Sequence, residues 1–187
     1  NSRSINSLAS PHRHRGVDHL WSPWRLDYVT GEKPSDKTPT GCIFCKPRTG
    51  AERDPLIVFD GSLAYVILNR YPYNNGHVMV VPHRHLAWLV ELSIDELNEV
   101  ALLTQRSEAA LREAYKLEGI NVGLNLGKPA GGGIPGHLHV HLVPRWTGDT
   151  NFMTVVGETR VLPEDLASSA SRLAPIFVRL DRTQQPK

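Results

Sequence analysis

Residues 136–144 read Gly136-His137-Leu138-His139-Val140-His141-Leu142-Val143-Pro144, and this stretch decides the fold. Imidazoles and aliphatic side chains alternate without a break. On a β-strand that alternation sends His137, His139 and His141 to one face and Leu138, Val140 and Leu142 to the other. The aliphatic set reads as core. The opposite face then presents three imidazoles spaced about 6.6 Å per step. Such a row has three uses: surface histidines on an edge strand, ligands of a catalytic zinc, or a nucleophile for phosphorus with neighbours that orient it. The outer pair lies about 13 Å apart at Cα, which suits a single ion poorly. The preceding loop, Gly127 to Gly136, favours the nucleophile. Its Gly131-Gly132-Gly133 run lets backbone N–H groups approach a ligand closely, a common way of holding phosphate oxygens.

Working outward, Leu56–Phe59, Leu63–Asn69 and His77–Val81 read as strands rich in Val, Ile and aromatics. Asp60-Gly61 marks a hairpin turn, and Pro72-Tyr73-Asn74-Asn75-Gly76 a loop. Ser93 to Glu118 reads as a helix. Ser93 with Glu96 forms a capping box, Leu97, Val100, Ala101, Thr104, Leu111 and Tyr115 follow helical spacing, and Gly119 is the expected stop. Ile120–Leu126 and Leu138–Val143 return to strand character, with a further strand expected at Phe152–Val156. Pro163 opens a last helix that Pro175 is expected to end or kink. The order predicts an α+β domain: a mainly antiparallel sheet of about five strands, one long helix and a C-terminal helix.

The chain has 187 residues, enough for one domain with a full core. Residues 1–19 read as a mobile tail and 20–187 as a single domain. No apolar run approaches the roughly 20 residues of a membrane span. No apolar segment follows the early arginines, so a secretory signal is not expected and the protein reads as cytoplasmic. Net charge is +2. Arg3, Arg13 and Arg15 precede the first acid, Asp18, and the rest of the chain holds 18 basic against 19 acidic residues. A folded body without a basic excess argues against a nucleic-acid partner.

The two cysteines form Cys42-Ile43-Phe44-Cys45, which has zinc-ligand spacing. A redox pair and two separate thiols are the competing readings, but no thioredoxin-like context surrounds them. A closed site would need histidines, and Pro82-His83-Arg84-His85 and His137 are at hand. His83 is the rival to His85 and reads as a solvent-exposed neighbour.

The string from His137 to Val143 resembles the signature of the histidine triad (HIT) superfamily. Asn74-Asn75-Gly76-His77-Val78-Met79-Val80-Val81-Pro82 is similar to that family's second conserved strand, and Cys42-Ile43-Phe44-Cys45 to its N-terminal segment. Val143-Pro144-Arg145-Trp146 with Gly148-Asp149-Thr150-Asn151-Phe152 most resembles the bacterial diadenosine-tetraphosphate phosphorylase-like branch.

The resemblance implies a HIT-like fold and a nucleotide or dinucleoside polyphosphate substrate, attacked at its α-phosphate to give a nucleotidyl-histidine. His139 is then the nucleophile, His141 contacts phosphate or assists the leaving group, and His77 supports the network. Ile43, Phe44 and Ile67 fall on the nucleobase pocket and Asn69 on the ribose. Asn125 and the Gly131, Gly132 and Gly133 amides fall on the phosphates. Asn69 stands where many members carry an acid, and Gly133-Ile134 where many carry Gln-Ser. Metal-binding members imply a structural zinc on Cys42, Cys45, His85 and His137, and the family implies a homodimer. Nucleoside phosphoramidate hydrolysis and a non-catalytic nucleotide-binding module are the alternatives.

Overall fold

The computed structural model describes residues 41–45, 53–149 and 164–184. The expectations for the tail, for a strand at Phe152–Val156 and for Pro163 lie outside these. Five strands form one antiparallel sheet: β1 (Ile57–Asp60), β2 (Ala64–Leu68), β3 (Val78–Pro82), β4 (Gly119–Leu124) and β5 (Val140–Arg145). Their spatial order is β1-β2-β3-β5-β4. Helix α1 (Ile94–Tyr115) joins β3 to β4, and α2 (Leu166–Gln184) follows β5. Among the described residues, the expected α+β fold of about five strands and two helices is the observed one.

β2 and β3 are buried at every position, so both faces of the sheet's centre are covered. α1 and α2 cover one face. On the other lies the segment 41–45, tied down by the Tyr65 hydroxyl, which donates to the Phe44 carbonyl at 2.6 Å. That second face carries the site.

α1 starts as expected. Ser93 Oγ accepts from the Glu96 amide, and the Glu96 carboxylate takes the Ser93 amide. Its buried stripe differs in part: Val100, Leu103, Ser107, Ala110 and Leu111 face the sheet, while Leu97 and Ala101 are exposed. It ends at Lys116 rather than Gly119. Lys116 adopts a left-handed conformation (φ 48°, ψ 42°), its amide bonds the Arg112 carbonyl, and Gly119 begins β4. Burying Leu117 just beyond offsets the roughly 1 kcal/mol that this backbone conformation costs.

Pro175 does not end α2, which continues to Gln184. A proline inside a helix costs about 3 kcal/mol. Leu173 and Phe177, fully buried on either side of it, each return roughly 1.5–3 kcal/mol. Arg106 of α1 adds a tie to Asp181 of α2 at 2.7 Å. Among the described residues no helix is long and apolar enough to cross a membrane.

Candidate active site and metal cluster

β5 begins only at Val140, so His137 and His139 lie in the chain leading into it. Period-two alternation nevertheless extends back to Leu138, whose amide bonds the Leu86 carbonyl at 2.7 Å. Leu138, Val140 and Leu142 are buried in the core, as their spacing predicted. The imidazole face is not an open ladder. His137 is buried and His139 is only 6% exposed, because Phe44 lies over them with ring centroids 5.6 and 4.9 Å away.

The proton positions on these rings follow from their partners, since a carbonyl only accepts and a backbone N–H only donates. His137 Nε2 lies 2.9 Å from the Pro82 carbonyl and therefore carries the proton. Its Nδ1 lone pair points at Cys42 Sγ (3.3 Å) and Cys45 Sγ (3.6 Å). His85 Nδ1 lies 3.5 Å from Cys45 Sγ, and the Phe44 amide donates to Cys42 Sγ. One ligand atom from each of Cys42, Cys45, His85 and His137 lies within 4.8 Å of the others. Two sulfurs and two ring nitrogens converging at this distance match the ligand types and number of a tetrahedral metal site. The residues form a cluster able to hold a metal.

His83 lies outside this cluster and is not solvent-exposed as expected. Its ring stacks on Tyr65, and Nε2 donates to the Gly61 carbonyl at 3.0 Å.

His139 Nδ1 lies 2.8 Å from the His137 carbonyl, so Nδ1 is protonated and Nε2 holds the lone pair. Nε2 has no partner among the described residues and is not sealed from solvent. A second chain of bonds fixes its neighbour. The Tyr73 amide donates to His77 Nδ1 at 3.1 Å, with the Asn69 amide group at 3.3 Å from the same atom. His77 Nε2–H therefore donates to His141 Nδ1 at 3.0 Å, leaving His141 Nε2–H to face outward. Burial, then the neighbouring His141 and His139, holds the fully buried His77 down at about 3. Burial and His139 hold His141 at about 4. Burial also lowers His139 below its ordinary value of 6.5. All three rings are neutral near pH 7, as donation and attack by lone pairs require.

Phe44 and Ile67 are buried on this face, with Phe44 against His139, while Ile43 is 49% exposed. Asn69 is turned toward His77, and its Oδ1 takes the Tyr71 amide. Asn125 lines an open depression beside His141. Gly131 and Gly132 depart from expectation: their amides close their own loop on the Lys128 and Gly127 carbonyls, at 2.9 and 3.3 Å, rather than facing a ligand. Glycine at 132 serves packing, since a Cβ there would lie 2.9 Å from the Gly127 carbonyl oxygen. Sequence reasoning missed Tyr73, Asn74, Arg145 and Asp149, which line the same depression. Their signals are proximity in sequence to His77 and His141 and, for Arg145 and Asp149, a place in the segment that resembles the phosphorylase-like branch.

Residues 51–148 match the family profile described as HIT domain. The AP-4-A phosphorylase of Mycobacterium tuberculosis (strain H37Rv) is 39% identical over 168 residues, covering 87% of this chain and 86% of its own length. The bis(5'-adenosyl)-triphosphatase of Dictyostelium discoideum is 29% identical over 132 residues, covering 67% and 87%. A Zn-bound histidine triad family protein from Mycobacterium smegmatis superposes with a TM-score of 0.63 at 25% identity, covering 79% of this chain and 100% of that one. The neutral histidine network, the sheet that carries it and these likenesses agree: the chain belongs to the HIT domain family.

Proposed function

We propose that the protein transfers a nucleotidyl group from a dinucleoside polyphosphate, acting as a diadenosine tetraphosphate phosphorylase. His139 Nε2 attacks the α-phosphorus. The bond from that phosphorus to the bridging oxygen breaks, and ATP leaves with the electron pair. His141 Nε2–H donates to the phosphoryl or leaving oxygen, held in that tautomer by His77. Inorganic phosphate then attacks the adenylyl-histidine, breaking the P–N bond and releasing ADP. The observation that carries this reading is the His139–His137 carbonyl bond, which protonates Nδ1 and leaves Nε2 as an outward lone pair. The likeness to the M. tuberculosis phosphorylase supports phosphate as the acceptor. Phe44 and Ile67 would flank the base.

The cluster fits zinc. A tetrahedral zinc with two sulfur and two nitrogen ligands sets its four sulfur–nitrogen edges at about 3.6 Å; three of them measure 3.3, 3.5 and 3.6 Å, and the fourth lies within 4.8 Å. Bound there, the metal supplies structural cross-linking, with no position left for substrate. We place the protein in the cytoplasm, where a reducing environment keeps the unbridged Cys42 and Cys45 available to metal. A homodimer is supported by β4, an edge strand exposed from Asn121 to Leu124, on which a second copy would continue the sheet.

The test is rapid mixing with diadenosine tetraphosphate in the absence of phosphate, followed by alkaline denaturation and intact mass measurement. Wild-type protein is expected to gain one adenylyl group, and adding phosphate to release ADP. His139→Asn is expected to fold, gain no adduct and lose turnover. A wild-type rate in His139→Asn would refute the reading.

A further inference from the structure

The depression beside His141 continues well past the reacting atoms. β4 and β5 pair Gly123 with His141, Asn121 with Val143 and Gly119 with Arg145. Alternation therefore places His141, Val143 and Arg145 on one face, flanked by Gly123 and Asn121. A Cβ at Gly123 would meet nothing within 4 Å, so the floor beside His141 is open. From His141 to Arg145 the strand covers about 13 Å, longer than one phosphoryl group and on the scale of a polyphosphate chain.

The groups along this track are donors. His141 Nε2–H, the Asn125 amide and the Asn121 amide nitrogen have no partner among the described residues. Asn121 is oriented by Arg145, whose Nη1 donates to Asn121 Oδ1 at 3.0 Å, so the Asn121 NH2 is the end left to a ligand. Arg145 is 44% exposed at the far end. Asp149 grips it through Nε (2.5 Å) and Nη2 (2.7 Å). The Asp149 carboxylate also accepts from Asn74 Nδ2 and the Trp146 amide, and its side chain is only 9% exposed. It is therefore a positioning group that aims the guanidinium along the strand.

We propose that Asn121 and Arg145 form a subsite for the polyphosphate portion of the leaving group, beyond the α-phosphate, and so set the preference for long over short leaving groups. The proposal rests on the nucleotidyl-transfer reading above. Each phosphoryl group carries negative charge and acceptor oxygens, which a row of N–H donors ending in a guanidinium matches.

The test compares diadenosine tetraphosphate with the p-nitrophenyl ester of AMP. Both are cleaved at the same phosphorus, but only the first has a leaving group that reaches Arg145. In Arg145→Ala the ratio of kcat/KM for the tetraphosphate to that for the ester is expected to fall ten- to hundred-fold, the range for losing a charge-assisted hydrogen bond. In Asn121→Ala, which alters the face of β4 beside Arg145 and not its backbone pairing edge, it is expected to fall several-fold, and this variant decides the matter if Arg145→Ala does not fold. Wild-type protein that cleaves both substrates while the folded variants keep its ratio overturns the subsite alone. Wild-type protein that cleaves neither overturns the nucleotidyl-transfer reading and the subsite with it.

Discussion

Stripping the metal from the Cys42–Cys45–His85–His137 cluster is expected to cost both stability and turnover, for one structural reason. His137 serves two bonds at once: its ring faces the two sulfurs, while its carbonyl holds His139 Nδ1–H at 2.8 Å. Loss of the ion would leave Cys42 and His137 buried with weak thiol–imidazole contacts in place of metal–ligand bonds. At zinc a thousand-fold above its dissociation constant, linkage stabilises the fold by about 4 kcal/mol. For a chain of 187 residues each kcal/mol moves Tm by roughly 2–4 °C, so the stripped protein is expected to melt about 8–16 °C lower. The assay is thermal unfolding of the protein as isolated, after dialysis against a chelator, and after zinc is returned, with metal content measured in each. One ion per chain and a shift reversed by zinc are expected. Turnover, read where the stripped protein is still folded, is expected to fall as the His137 carbonyl loses its fixed position. Stripped protein with unchanged Tm and rate would refute the coupling.

Two further outcomes follow from single contacts. Tyr65→Phe removes the donor to the buried Phe44 carbonyl and is expected to lower unfolding free energy by about 1–3 kcal/mol; a urea midpoint equal to wild type would show that the bond does not anchor segment 41–45. Acid is expected to weaken the fold through His77 and His141. Their folded values of about 3 and 4 lie below the unfolded 6.5, so the unfolded chain binds protons first as pH falls from 6.5. Their stabilisation is complete above 6.5 and is lost toward 4, at about 1.4 kcal/mol per pH unit for each imidazole. Between pH 6.5 and 5, above the range where most carboxylates titrate, the urea-derived stability of wild type is expected to fall more steeply than that of His77→Gln; parallel slopes would count against the buried neutral ring.

The sheet was legible because its strands carry period-two or continuous apolar runs, and Leu138, Val140 and Leu142 went where their spacing sent them. The cysteine spacing pointed to a metal, but the spacing alone left His83 and His85 as rivals, and it was the resemblance to metal-binding HIT members that implied His85 and His137. Much of what tunes the site is backbone. The Pro82 and His137 carbonyls and the Tyr73 amide choose the tautomers of three rings, yet any residue offers the same carbonyl, and any but proline the same amide. The His77–His141 bond spans 64 residues and becomes visible only once β3 and β5 are neighbours. Gly131 and Gly132 misled because a glycine run is equally the signature of a loop closing on itself. Pro175 does not stop the helix, because the cost of a helical proline is local, while the burial that outweighs it comes from α1 and the sheet.

Deep burial of His139 would count against the proposed nucleophile if it closed off the whole ring. Assigned atom by atom, it does not. Phe44 covers the ring and the His137 carbonyl occupies Nδ1, so the only reactive atom left is Nε2. Desolvation lowers the affinity of the ring for a proton, which keeps the lone pair available near pH 7, and a ring fixed on one edge can meet phosphorus along one direction only. His77 does for His141 what the His137 carbonyl does for His139, with opposite polarity: one ring is left as a lone pair, the other as a proton donor. Adjacent side chains on one face thus differ in role because one has its far edge held by a backbone carbonyl and the other by an imidazole N–H. A metal held by the cluster would need no contact with substrate to matter, since it would grip His137, whose carbonyl sets the first of those roles.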